Sequence, residues 1–214
     1  MQQYGLAIHT SSPDLSFAIA LNMGDRRHSV WGLGRDLATH LHPYLAEFLL
    51  PQTWSDLAFL AVARGPGSFT GTRLGVVTAR TLAQQLNIPL FGISTLAAIA
   101  WAERANIPTG SAIAVQMRAQ RGEIFGAIYQ PGETSLQTVL PDAVMSPTRW
   151  QQTLEQRQIP VHLLEAEASL GYTTPSLLDL AYQRWQQGQR PPWSETLPFY
   201  GQHPVVECQM QSAK

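Results

Sequence analysis

Between Ala63 and Gly75 the chain reads Ala-Arg-Gly-Pro-Gly-Ser-Phe-Thr-Gly-Thr-Arg-Leu-Gly, a glycine-dense turn between the apolar run Leu57 to Val62 and the unbroken helical pattern Leu74 to Leu86. A strand running through such a turn into a helix fits an α/β fold. Gly65, Gly67 and Gly71 permit positive φ and close approach, and the helix start behind them carries unpaired amides and partial positive charge. Such backbone either holds an anion or lets another backbone come close. The residues Gly65, Gly67, Ser68 and Thr70, together with His9 at the end of the first strand, form the candidate nucleotide-proximal site.

Two familiar nucleotide motifs do not fit. A P-loop needs a lysine directly after its last glycine, but Thr72 stands there and the one lysine of the chain is Lys214. A dinucleotide fingerprint needs its third glycine three residues after the second and an acid at the end of the next strand. Here Gly71 comes one residue late, and Pro89 to Ser94 holds no carboxylate. Within the following helix, Gly71, Gly75, Ala79 and Ala83 recur at every fourth position and form a ridge with almost no side-chain bulk. Something packs closely there, either the chain's own sheet or a partner subunit.

At 214 residues the chain suits one domain or two small ones, and its net charge of -1 offers no basic field for autonomous binding of nucleic acid or membrane. A single cysteine, Cys208, excludes an internal disulfide framework. No apolar run is long enough to span a bilayer and no basic leader is evident, so a cytoplasmic protein is expected.

Strand patterns cover Gly5 to Thr10, Leu15 to Leu21 and Arg27 to Leu33, followed by an amphipathic helix from Arg35 to Leu50. After the glycine unit come a short strand near Leu90 and a helix capped by Ser94 or Thr95. Beyond a hinge at Asn106 to Gly110, three strands, a helix after Pro147, a strand at Val161 to Leu164 and a helix from Pro175 to Gln187 repeat the order. The pattern predicts two βββαβα-type lobes, residues 1–106 and a reduced lobe 107–214, facing each other as in actin-like (Hsp70-like) ATPases. Pro191, Pro192, Pro198 and Pro204 break up the tail.

No catalytic set emerges. Among the histidines at 9, 28, 40, 42, 162 and 203, His40 and His42 point about 200° apart on a helix and cannot share an ion from it. No metal site is expected. Where an actin-like ATPase would place an aspartate at the end of its first strand stands His9, a poor ligand for magnesium. Ser68 and Ser94 have no visible base, and Glu165 and Glu167 read as solvated. Arg118 and Arg121, at a hairpin, could meet a phosphate or a partner carboxylate, although exposed arginines are ordinary there.

Arg64-Gly-Pro-Gly-Ser-Phe-Thr-Gly71 with Arg73-Leu-Gly75, then Gly92-Ile-Ser-Thr-Leu96 and Arg121-Gly-Glu-Ile-Phe125, resemble the TsaB (YeaZ) family; Ala7 to Ser11 fits it too, except that the family usually has aspartate at the place of His9. The resemblance is strong over residues 1–130. It implies a non-catalytic, actin-like subunit in bacterial threonylcarbamoyladenosine synthesis on tRNA. Its partners would be a TsaD-like transferase and a TsaE-like ATPase, with a homodimer as a further form and tRNA met only through the complex. No cofactor would be held tightly by the isolated chain, with ATP or ADP bound, if at all, in the complex. In the family the first two helices of the N-terminal lobe form the pairing surface, which carries over to Leu41, Tyr44, Leu45, Phe48, Gly71, Gly75, Thr78 and Ala79. The alternative is an independent nucleotide hydrolase or peptidase-like enzyme of the same superfamily.

Overall fold

The structure, a computed structural model, describes residues 3–21 and 25–201. The expectations for His203, Pro204, Cys208 and Lys214 lie outside them. Strands β1 (Tyr4–His9), β2 (Asp14–Ala20), β3 (Arg26–Gly32), β4 (Leu57–Ala63) and β5 (Leu90–Ile93) form one sheet in the order β3-β2-β1-β4-β5. The first three form an antiparallel meander, whereas β4 and β5 add in parallel to β1.

Alternation along the central strands sets which helices cover which face. Leu6, Ile8, Leu60 and Val62 point toward α1 (Leu37–Leu49) and α2 (Phe69–Leu86), meeting Leu41, Leu45 and Val76. Ala7, Ala61 and Ala63 point the other way, with Trp101 of α3 (Thr95–Glu103) and Leu177 and Ala181 of α5 (Thr174–Gln186). Burial on both faces explains why β1 and β4 are continuous apolar runs.

The second sheet, β8-β7-β6-β9, comprises β6 (Ala112–Arg118), β7 (Ile124–Pro131), β8 (Leu136–Met145) and β9 (Val161–Glu165). Helix α4 (Pro147–Glu155) lays Trp150 over it at Gly126, where an added Cβ would lie 2.7 Å from the indole. Helix α3 is apolar around its circumference because it is used twice. Ala98 and Trp101 serve the first sheet, while Leu96, Ile99 and Ala100 serve the second. The first lobe follows the expected βββαβα order with its sheet arranged β3-β2-β1-β4-β5, and the second lobe is the reduced one, with four strands in its sheet among the described residues.

Helix α5, on the C-terminal side of the predicted division at residue 106, packs on β1, β2 and β4 of the first sheet. The segment after it also returns there, with Leu90 N donating to Pro191 O (3.2 Å) and Phe199 N to Arg64 O (2.7 Å). Proline suits this stretch because it runs along an edge and gives up few backbone donors.

Candidate functional site

The glycine turn lies beside the end of β1, and Ser68 caps α2 by accepting from Gly71 N (3.2 Å). Ser68 N donates to Ser11 O (2.7 Å), Thr72 N donates to Ser68 O (2.9 Å), and Thr10 Oγ1 donates to Gly71 O (2.8 Å). These bonds draw the first turn of α2 onto Thr10 and Ser11. A Cβ on Gly67 would fall 2.1 Å from Ser11 O, one on Gly71 2.1 Å from Thr10 O, and one on Gly75 2.1 Å from Thr10 Oγ1. The glycines therefore serve close approach of the turn and α2 to the chain's own Thr10 and Ser11. Gly65, at φ +99°, is covered by Phe199 O, which a Cβ would meet at 2.6 Å, and Thr70 is exposed on the first turn of α2.

The small-residue ridge faces inward as well. Gly71, Gly75, Thr78 and Ala79 are buried in the chain, and Leu41, Leu45 and Phe48 belong to the core beneath the first sheet. Within the chain these residues pack against its own strands and core, Phe48 and Thr78 each keeping 7% of their surface. Tyr44 is half-buried and packs against Trp31, with ring centroids 5.1 Å apart. The large apolar side chains that α2 exposes are Val77, 58 % accessible, and Phe69, 53 % accessible.

His9 is not brought together with the loop. Thr10 faces α2, so alternation sends the His9 ring to the opposite side of the sheet. It is fully buried there, Nδ1 accepting from Ser11 N (3.3 Å) and Nε2 without a hydrogen-bond partner. Desolvation lowers its pKa from 6.5 to about 4, against an opposing pull from Asp14 and with a further lowering from His28. The ring is neutral at pH 7 and supplies no oxygen to a magnesium ion.

Across a cleft of ≈ 630 Å³ from Ser11, Ser12, Gly67 and Ser68 stand Arg118, Glu165 and Glu167 of the second lobe. Arg118 and Glu165 form an exposed pair at 3.7 Å, too solvated to fix either side chain. Two carboxylates and one guanidinium make this wall no attractor of phosphate. Arg121 is exposed on the hairpin at φ 57°. Among the described residues no group of three or more His, Cys, Asp or Glu side chains could hold a metal ion.

A second polar cluster has no counterpart in the sequence reading. Ser94 Oγ, besides capping α3, donates to Asp142 Oδ1 (2.7 Å), and Tyr129 OH donates to the same oxygen (3.0 Å). Arg64 stands 3.7 Å from Asp142 Oδ2. Burial raises the Asp142 pKa, against the lowering effect of Ser94, Arg64 and Tyr129. The cap signal at Ser94 was legible, but nothing local indicates that its hydroxyl also meets a carboxylate of the other lobe.

The model of a family described as TsaD, tRNA N6-adenosine threonylcarbamoyltransferase, matches residues 37–186, more than half of the chain. The tRNA threonylcarbamoyladenosine biosynthesis protein TsaB of Bacillus subtilis (strain 168) is 36% identical over 115 residues, 54% of this chain and 49% of the relative. That of Escherichia coli (strain K12) is 41% identical over 83 residues, 38% of this chain and 35% of the relative. The chain thus spans about half the length, or less, of these curated relatives. Among solved structures, an uncharacterized protein with similarity to peptidase YeaZ from Pseudomonas aeruginosa superposes with a TM-score of 0.76 at 25% identity, over 94% of this chain and 100% of the other. With the family model spanning both lobes and the TsaB and YeaZ likenesses meeting on the same fold, the chain belongs to the TsaD family and, within it, to the TsaB (YeaZ) group.

Proposed function

We propose that the chain is a scaffold and activator subunit for tRNA modification. It pairs with a TsaD-type transferase, a TsaE-type ATPase joins the pair, and the complex threonylcarbamoylates the adenosine beside the tRNA anticodon. The chain itself is non-catalytic and meets tRNA only through the complex, in the cytoplasm where tRNA is modified. The observation that carries this reading is the spending of the glycine turn on β1. Its close approaches are made to Thr10 and Ser11, and the neighbouring His9 is neutral and enclosed. The same observation supports weak or no nucleotide binding by the isolated chain, with ATP or ADP entering only in the complex.

For pairing, the surface that α1 and α2 leave open is centred on Val77 and Phe69, with Arg73 exposed between them. Val77→Asp is expected to weaken association with the TsaD-type subunit by about tenfold or more, because a charge would be desolvated among apolar contacts. The thermal midpoint of the isolated chain should stay unchanged, since Val77 is mostly in water. Co-purification and calorimetry read both. Absence of a complex between the unsubstituted chain and a TsaD-type subunit from the same organism would overturn the scaffold reading. Turnover of ATP with magnesium, or of a peptide, by the isolated chain would establish the hydrolase or peptidase alternative instead. Light scattering with and without the transferase separates a homodimer from the mixed pair.

A further inference from the structure

A second cavity, of ≈ 370 Å³, shares no lining residue with the interlobe cleft. Among the described residues its charged groups are Arg64 at the end of β4, Arg184 on the last turn of α5 and Asp142 on β8. The Asp142 side chain is 3% exposed. Ser94 and Tyr129 lock its Oδ1, while Oδ2 has no hydrogen-bond partner. Arg64, at 3.7 Å, is near enough to feel the carboxylate and too far to hydrogen-bond it.

Arg184 is held from behind. Its Nε donates to Gln189 Oε1 (2.9 Å) and its guanidinium lies over Phe91, 5.5 Å from the ring centre. Its terminal nitrogens make no hydrogen bond among the described residues, and the Arg64 guanidinium likewise donates none. Burial and the nearby charge of Arg64 both lower the Arg184 pKa. Two guanidiniums that repel each other and hold back their donors, lining one small cavity, suit a bound oxyanion.

The count of charges selects the ligand class. Two guanidiniums less one carboxylate leave a single positive charge, which a monoanion balances and a dianion overshoots. The remaining polar lining, including Gln183, Gln187, Ser135 and Thr138, is neutral and suits hydroxyl or amide groups. The volume lies near the lower end for small-molecule sites. We propose that this pocket binds a small monocarboxylate carrying hydroxyl or amide groups, its carboxylate clamped between Arg64 and Arg184. Asp142, pinned by Ser94 and Tyr129, acts as a positioning residue that keeps the Arg64 guanidinium at the pocket wall. This site is independent of the pairing surface, so its failure would leave the scaffold reading intact.

The test is an NMR titration of the full chain, following the arginine side-chain resonances. D-glycerate is the probe, glycerol its neutral match and inorganic phosphate the competing anion. The expected result is a saturable shift of the Arg184 and Arg64 signals with D-glycerate and none with glycerol. Arg184→Gln should weaken binding by about tenfold or more, the scale of a charge-assisted hydrogen-bond pair. Arg184→Lys keeps the charge but not the fork and should recover only part of the loss, with both variants folding as the parent does by their amide spectra. No saturable shift with D-glycerate, equal shifts with glycerol, or unchanged affinity in Arg184→Gln would overturn the site. Phosphate displacing D-glycerate at lower concentration would overturn the assignment to carboxylates.

Discussion

Gly71→Ala is expected to destabilise the isolated chain by about 1–3 kcal/mol, toward the upper end of that range. The added methyl would sit 2.1 Å from the backbone oxygen of Thr10, and backbone at the end of a central strand has little room to retreat. Gly75→Leu acts at the same seam, where even the first carbon falls 2.1 Å from Thr10 Oγ1 and endangers that hydroxyl's bond to Gly71 O. Urea unfolding of the unpartnered protein is the measurement. A midpoint equal to the parent's for Gly71→Ala would mean that α2 does not dock on β1 as described. Both losses should appear without any partner, which distinguishes a seam within the monomer from an interface between chains.

Stability should also fall between pH 6.5 and pH 4 by about 3 kcal/mol through His9. The sign follows from the lowered pKa: at about 4 when folded, against 6.5 as the unperturbed value, the unfolded chain binds the proton first. The contribution of His9 is therefore fully present above pH 6.5 and is lost as the pH drops toward its folded value. His28, lowered by desolvation, adds in the same direction. Asp142, raised by burial, works in the opposite sense. The readout is accordingly the difference between the parent and His9→Gln, measured by urea midpoints at pH 7, 5.5 and 4. Parallel pH profiles for the two proteins would refute a buried neutral His9.

Much of the architecture is legible from pattern. Alternation in Leu6-Ala7-Ile8 and in Leu60-Ala61-Val62 places the two faces of the central strands, and Ser94 announces the start of α3 by the cap it forms. The cap at Ser68 is not legible in the pattern, because the glycines and threonines of the first turn obscure a helix that begins at Phe69. Helix α5 reads correctly as a helix, but its apolar face does not say which sheet it covers.

The same gap applies to the residues that bury α1 and α2. Leu41, Leu45 and Phe48 on α1, and the ridge of Gly71, Gly75 and Ala79 on α2, carry a periodicity that demands burial and names no neighbour. Periodicity is a property of one helix, whereas the neighbour is decided by chain closure. The Asp142 cluster is further out of reach, because Arg64, Ser94, Tyr129 and Asp142 come from separate elements and meet only when the two lobes close on α3.

By itself the sequence determined an α/β chain of two βββαβα-type lobes, a strand-turn-helix unit at Leu57 to Leu86, and the glycines that unit requires. Only the tertiary structure decided what those glycines are for. Local backbone freedom is the same whether an anion or another strand occupies the space, and here the end of β1, at Thr10 and Ser11, arrives to fill it.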